Sequence, residues 1–503
     1  MANKLQLNFS GGMNSQVSSL LMKDNECELC VNFHLDRVGA ITKRRGYARY
    51  LTQPFTGKTI NGLYQFNDTS AGVGYQLMVA NNTGDTNGNI YYNSAGTWTV
   101  GKSTDTASLR SRFASFVDYV FRVNGTDVVA SSANASTWGT TNAPTVITPK
   151  FISVFSDRVY VARGSAANQK SRVWFSSLPD GAGGITWTTA TDYFDVNPDD
   201  GDEITGLENN GNRLLIFKYD ALYRWVFGAV EPDRLIGVGS TSQENIKTNF
   251  DKGITFFANP KGVYAYTGGR PKLISRKIQK FIDAVTGWQN TCAEVDDDHY
   301  YLAVGNLTFS DAFGGNASIT GISRTLSNCM LVYTISLDAW TIYSFGDPIK
   351  FLAILQNSSA VPGLAPFIAM GSNTGRTYQM FTGSSDDITA TSPYPINGEC
   401  RTKEYLLSFP NRTNLNWVDV FAEQRVATVV SYDIDRLEEW TTLGDIQYRV
   451  TNFRVPGREC NSVRLVFVDS SRNIQSIIEG FNLEHEPKEK RDENPRQIRV
   501  LKK

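Results

Sequence analysis

A β-rich unit that returns after roughly 40 residues constrains this chain more than any other feature, because that spacing is the period of radially stacked sheets. The unit recurs over 62–100, 113–138, 151–187, 204–225, 253–275, 292–345 and 351–383. In each stretch a short apolar strand ends in a Gly, Asn or Asp turn and a second strand follows. The repeats are degenerate in sequence. What recurs is the hydrophobic period, the turn chemistry and often a Trp near the end of the unit: Trp98, Trp138, Trp187, Trp225 and Trp340. One such unit cannot bury both of its faces, and radial stacking lets its neighbours cover them. The pattern therefore predicts an all-β chain whose centre, 59–383, is a β-propeller of six to seven blades. The count is six if the units at 113–138 and 151–187 share strands.

Local chemistry supports the strands. Ser156-Asp157 is a polar turn leading into the alternating run Arg158–Ala162, closed by Arg163-Gly164. The run 253–268 reads as a hairpin turning at Asn259 to Gly262. A single helix is expected over 273–285, where Ile274, Ile278, Ile282 and Val285 fall on one face and Ser275 stands in position to cap.

The flanks differ from the centre. Residues 1–58 read as an extended arm with one or two short elements. Residues 384–393 are a polar linker. Longer alternating strands then follow at 404–409, 415–423, 427–433, 445–450, 462–468 and 474–484, predicting an antiparallel β-sandwich over 384–485. The last stretch, 486–503, carries seven basic and four acidic residues and reads as a mobile or partner-ordered tail.

Composition narrows function. A net charge of −1 gives no global pull toward DNA or anionic lipid. No run of 18 apolar residues is present and the start lacks an apolar signal core, so cytoplasmic synthesis without a membrane anchor is expected. Six cysteines (27, 30, 292, 329, 400 and 460) are too few for a disulfide framework. Cys27-x-x-Cys30 lacks a second pair, and the spacing of His34 does not complete a zinc site. The three histidines, His34, His299 and His485, are far apart in sequence. The acidic runs Asp199-Asp200-Gly201-Asp202-Glu203 and Asp296-Asp297-Asp298 read as turns, since neither has the loop of a cation site. No catalytic residue, cofactor or metal ligand is expected.

Basic residues are the candidate contacts. Lys43, Arg44, Arg45 and Arg49 form the strongest local charge feature, and Arg276, Lys277 and Lys280 lie off the apolar face of the expected helix. These seven are the expected interface residues, toward an acidic protein surface or DNA.

The arm pattern Asn32…Gly39-Ala-Ile-Thr-Lys-Arg-Arg-Gly46-Tyr47 resembles the N-terminal arm of β-propeller tail nozzle, or hub, proteins of short-tailed bacteriophages, some called packaged-DNA stabilisation proteins. The run Gly253-Ile-Thr-Phe-Phe-Ala…Gly262-Val-Tyr-Ala-Tyr…Ile274-Ser-Arg-Lys-Ile278 is similar too, as are Val429–Asp435, Glu439-Trp440 and Ile478–Leu483. The resemblance is one of layout and touches most of the chain. It implies a structural, non-enzymatic virion protein: a homo-hexameric ring below the portal and adaptor. Such a ring continues the DNA channel, retains the genome until ejection and docks fibres or spikes, with double-stranded DNA passing and no base sequence read. The alternative is a propeller glycan-degrading enzyme or a glycan-binding fibre-attachment protein.

Overall fold

The computed structural model describes residues 3–37, 39–51, 55, 57–94, 96–229, 231–310, 323–356, 365–387, 390, 393–409, 412–423, 428–437, 439–471 and 476–487. The architecture is all-β and multi-sheet. Among the described residues, seven antiparallel sheets of three or four strands follow one another along the chain, the sixth as one end of an 11-stranded sheet. The first contains Ile60–Asp68, Val73–Asn81, Asn87–Ser94 and Thr97–Thr106. The second contains Arg112–Phe116, Tyr119–Val123 and Ala130–Ser132. The third runs from Phe151–Phe155 to Tyr193–Asp195 and the fourth from Ile204–Asn209 to Asp233–Ile236. The fifth runs from Lys247–Asn249 to Lys272–Leu273 and the sixth from Cys292–Val295 to Ala339–Ser344. The seventh has Ile349–Leu355, Phe367–Ser372, Thr377–Met380 and, from the other end of the chain, Tyr47–Arg49. Units 113–138 and 151–187 thus form separate sheets.

Turn chemistry sets the hairpins. Phe155 pairs with Arg158, and the two residues between them, Ser156 and Asp157, have φ of 46° and 53°. Two positive φ values in a two-residue loop make the turn that matches strand twist, and a short polar side chain such as Asp tolerates it.

The seven sheets close on themselves. The first strand of each packs on the first strand of the next, and Ile349–Leu355 of the seventh returns to Ile60–Asp68 of the first. Each seam has an apolar core. Phe66 and Val120 meet between sheets one and two, and Phe121, Ile152 and Trp174 between two and three. Phe155 and Trp225 join three to four, and Phe217, Phe257 and Tyr266 join four to five. Phe256 stacks on Tyr300 at 4.9 Å between five and six. Tyr301 and Met370 fill the seam of six and seven, and Leu355 and Met78 that of seven and one. Each side chain buried this way contributes about 1.5–3 kcal/mol relative to exposure. The recurring hydrophobic period is thus the seam pattern of a closed ring.

The described part of the N-terminal segment, from Asn3–Leu7 to Tyr47–Arg49, is built into three sheets. Tyr47–Arg49 is the outer strand of the seventh. Asn3–Leu7 and Ala40–Lys43 pair with Ile477–Pro487, which also pairs with Thr413–Ala422. Glu26–Val31 lies between Ala339–Ser344 of the sixth sheet and Gly398–Thr402, and beyond that come Ser462–Asp469 and Thr428–Ile434. The two C-terminal sheets face each other across Phe9, which meets Phe467 at 5.7 Å and Phe481 at 5.8 Å. The N-terminal segment therefore contributes strands to both of these sheets as well as to the ring. Where it turns toward the ring, Gly46 is required: a Cβ there would sit 1.8 Å from the Ser385 carbonyl oxygen.

Some local expectations give way. The expected strand at 445–450 is a turn between Thr441–Asp445 and Val450–Cys460, because the Thr451 hydroxyl accepts from the Gln447 and Tyr448 amides. The helix is short, a 3₁₀ turn Arg276–Ile278 followed by Gln279–Asp283, although Ile274, Ile278, Ile282 and Val285 are all buried as their spacing predicted. Ser275 does not cap it. Its hydroxyl accepts from the Val263 amide instead. The polar linker is partly internal, with Ser385, Asp386 and Asp387 buried. The expected tail lies, after Pro487, outside the described residues.

Candidate functional site

The expected contact residues separate. Lys43 is 1 % exposed, and its Nζ lies 3.0 Å from Asp469 Oδ1. Burial pulls its pKa down, with Asp469 opposing. Arg44 is 3 % exposed and uses all five N–H donors. Two go to the Asp386 carboxylate, both at 2.7 Å, one to Asn32 Oδ1, and two to the carbonyls of Arg45 and Ser344. Arg49 donates to Asp387 at 2.8 Å, and that bond raises its pKa. Lys43 and Arg44 are therefore corrected from interface residues to internal ties, because their charges are spent on carboxylates inside the chain. Lys277 lies 3.3 Å from Glu26, and the Lys280 ammonium sits 5.3 Å over the Phe309 ring. Arg45 and Arg276 are exposed.

Groups far apart in sequence also meet. The His34 and His299 rings are 4.6 Å apart, and His299 Nδ1 lies 3.2 Å from Asp296 Oδ1. Asp200 lies 2.7 Å from the Nζ of fully buried Lys218, so one acidic run is a counter-ion. Cys400 joins Cys27 and Cys30 in a buried cluster with all three sulfurs within 4.8 Å of one another. A register shift between Cys27 and Leu29 turns both cysteines of the pair to that side. The Cys27 and Cys400 thiols stabilise the Cys30 thiolate and lower its pKa, while those of Cys27 and Cys400 are raised. Such a set suits a soft ion, and sequence spacing alone did not include Cys400.

The ring's axis carries the most concentrated chemistry. A cavity of about 560 Å³ is lined by residues of all seven first strands, including Tyr64, Ala114, Ser153, Glu208, Lys247, Glu294 and Leu352. Lys247 Nζ lies 3.0 Å from Glu294 Oε2. Burial pushes the Glu208 carboxyl up to about 7, against the nearby Lys247 charge.

Arg112 marks one end of this cavity and also lines two further cavities, of about 610 and 550 Å³. They form a basic mouth. Arg110 and Arg112 come from the start of the second sheet, Lys150, Arg163 and Lys170 from the third, and Lys350 from the seventh. Arg112 Nη2 lies 2.6 Å from Glu244 Oε1, and Arg110 Nη1 lies 3.3 Å from Glu244 Oε2. Burial opposes the Glu244 charge, but Arg112, Arg110 and the Ser242 hydroxyl outweigh it and take its pKa down to about 2. Glu203 pairs with Arg163 and, at 3.9 Å, Lys170. Burial, and then the Arg163 and Arg112 guanidinia, push Lys150 down to about 8. Three cations surround the Phe151 ring: Arg112 at 4.8 Å, Lys150 at 5.8 Å and Arg163 at 6.0 Å. Sequence reasoning missed this site because its charges are dispersed along the chain and meet only through three different sheets.

No family model matches this chain, and no curated protein matches it. Distant likeness to solved structures exists. YCF48 bound to D1 peptide is 11 % identical, covering 67 % of this chain and 98 % of that one, with a TM-score of 0.38. The AfRom2 CNH domain is 9 % identical over 66 % and 97 % of the two chains, with a TM-score of 0.38. BamB from Moraxella catarrhalis is 11 % identical over 75 % and 98 %, with a TM-score of 0.37. At this distance the likeness carries no functional argument. No described helix is long and apolar enough to cross a membrane.

Proposed function

We propose that the chain is a non-catalytic structural subunit, a seven-bladed β-propeller joined to a β-sandwich, that assembles as the hexameric nozzle ring of a short-tailed phage. In that role it continues the DNA channel below the portal and adaptor, retains the genome and docks fibres or spikes. The observation that carries the reading is the path of the N-terminal strands from Asn3–Leu7 to Tyr47–Arg49. They close the seventh sheet, pair with the sixth and enter both C-terminal sheets, so that the two layers share strands rather than a linker. A part that holds a pressurised genome needs such joints. An axial cavity of 560 Å³ accepts a small molecule, not a duplex, so DNA passes between subunits. Leu20, Leu21, Leu406 and Phe409 are exposed on either side of the Ser19–Glu404 hydrogen bond and offer an apolar contact for a neighbouring subunit.

Light scattering of the protein, alone and with its adaptor, tests this. A closed ring of about six chains is expected from the family resemblance, and the double substitution Leu21→Asp and Phe409→Asp should weaken it. A chain that stays monomeric with its adaptor present would overturn the proposal. The glycan-enzyme alternative has one observation in its favour, the axial Glu208 near neutrality. Loss of polysaccharide viscosity that disappears in Glu208→Gln would establish it.

A further inference from the structure

We propose that the basic mouth binds a small anion carrying several closely spaced phosphates, the chemistry of inorganic triphosphate or of a nucleotide's phosphate chain. The first argument is charge balance. Six cations line the larger cavity, Arg110, Arg112, Lys150, Arg163, Lys170 and Lys350, with no carboxylate among its described lining residues, while Asp202 and Glu203 line the smaller one. Glu244 and Glu203 pair with four of them from outside that lining, one carboxylate to each two cations. The site keeps a positive excess within a chain whose net charge is −1.

The second argument is that the excess is confined. Arg112 is 8 % exposed, and its buried Nε has no partner among the described residues. Lys150 shares the Phe151 ring with two guanidinia, and burial and their repulsion, which Glu244 and Glu203 offset only in part, favour loss of its proton or gain of an anion. The Arg112 guanidinium spends its two terminal nitrogens on Glu244 and the Lys150 carbonyl, which leaves its buried Nε as the donor without a partner among the described residues.

Spacing selects the anion. The cations come from the second, third and seventh sheets, so one carboxylate can satisfy only a part of them. A chain of phosphates presents acceptors to several at once, and guanidinium forks match phosphate oxygens. The volume of about 610 Å³ suits a small ligand and excludes a duplex. The site lies on the ring itself, so it stands whether or not the chain is a nozzle subunit.

Isothermal titration of the full-length protein at physiological salt, with sodium triphosphate, ATP and citrate in separate arms, tests the proposal. Triphosphate should bind at one site per chain, weaken as salt rises, and weaken as pH rises through about 8, where Lys150 loses its proton. Equal affinity for ATP would assign recognition to the phosphate chain alone, and tighter ATP binding would add a base contact. Both results support the site. Lys150→Met should weaken triphosphate binding by at least about tenfold, and Lys350→Met by less, with the melting temperature of each no lower than that of the parent. Absence of triphosphate binding at millimolar concentration would overturn the proposal. So would citrate binding as tightly, or unchanged affinity in a Lys150→Met/Lys350→Met protein.

Discussion

Two basic clusters in this molecule have opposite fates. Lys43-Arg44 is conspicuous in sequence and silent at the surface. Its charges are buried against Asp469 and Asp386. Arg110, Arg112, Lys150 and Arg163 are scattered over more than fifty positions, yet the ring gathers them into one mouth with too few carboxylates. A contiguous basic run reports neighbours along the chain. A functional patch requires neighbours in space, and a closed ring makes those from residues at equivalent strand ends. Satisfied buried charge is a structural tie, and unsatisfied charge in a cavity is a binding site.

The sharpest break of this comparison is Arg44→Ala. It leaves the Asp386 carboxylate, 4 % exposed, without its bidentate partner. Removing one partner of a buried pair costs about 3–5 kcal/mol. Chemical denaturation should show a loss of that order, while triphosphate binding by the remaining folded protein stays unchanged. A melt like the parent's would mean that Arg44 is not a tie at all.

Lys150→Met should move stability the other way. The free site is strained by like charges, so deleting one should leave stability unchanged or raise it, by about 1 kcal/mol after discounting for partial exposure. The same denaturation measurement reads this. A clear loss of stability would make Lys150 another structural tie and erase the contrast.

The seven sheets were legible because their signal is local. Alternation, Gly-rich turns and Ser156-Asp157 depend on near neighbours, and the seam residues follow from the same period. The strand Tyr47–Arg49 was not recognisable as the edge of the seventh sheet, since its partner Thr377–Met380 lies more than three hundred positions away. Cys400 beside Cys27, His299 beside His34 and Asp386 beside Arg44 were hidden for the same reason. The helix at 273–285 kept its buried face and shortened to a 3₁₀ turn and a five-residue α-helix: its apolar spacing fixed which side chains turn inward, while Ser275, the residue expected to cap it, is held by the Val263 amide. The mouth was invisible because no two sheets' contributions are adjacent in sequence.

A pH series sharpens the contrast further. Lys150 has an ordinary pKa of 10.5 and about 8 in the folded chain. Between those values the unfolded chain holds a proton that the folded chain lacks, so this residue's contribution to stability rises with pH across the window. Below about 8 both states are protonated, and its destabilising effect is complete and constant. The difference between parent and Lys150→Met denaturation midpoints should therefore shrink from pH 8 toward 10.5. Saturating triphosphate should abolish that trend, because a bound anion restores the proton.

The smallest effect belongs to the part of the sequence-flagged run that stayed outside. Arg45 is exposed, and its side chain lies beside the buried ties without sharing their carboxylates. Arg45→Ala should change stability by less than about 0.5 kcal/mol, measured beside Arg44→Ala in the same denaturation experiment. Neighbouring positions, one worth several kilocalories and the other almost nothing, would show that burial and carboxylate pairing decide what a charge in that run does. Equal effects at both would mean that the run acts as one electrostatic unit. A loss of ring assembly in Arg45→Ala with an unchanged melt would return this one residue to the interface.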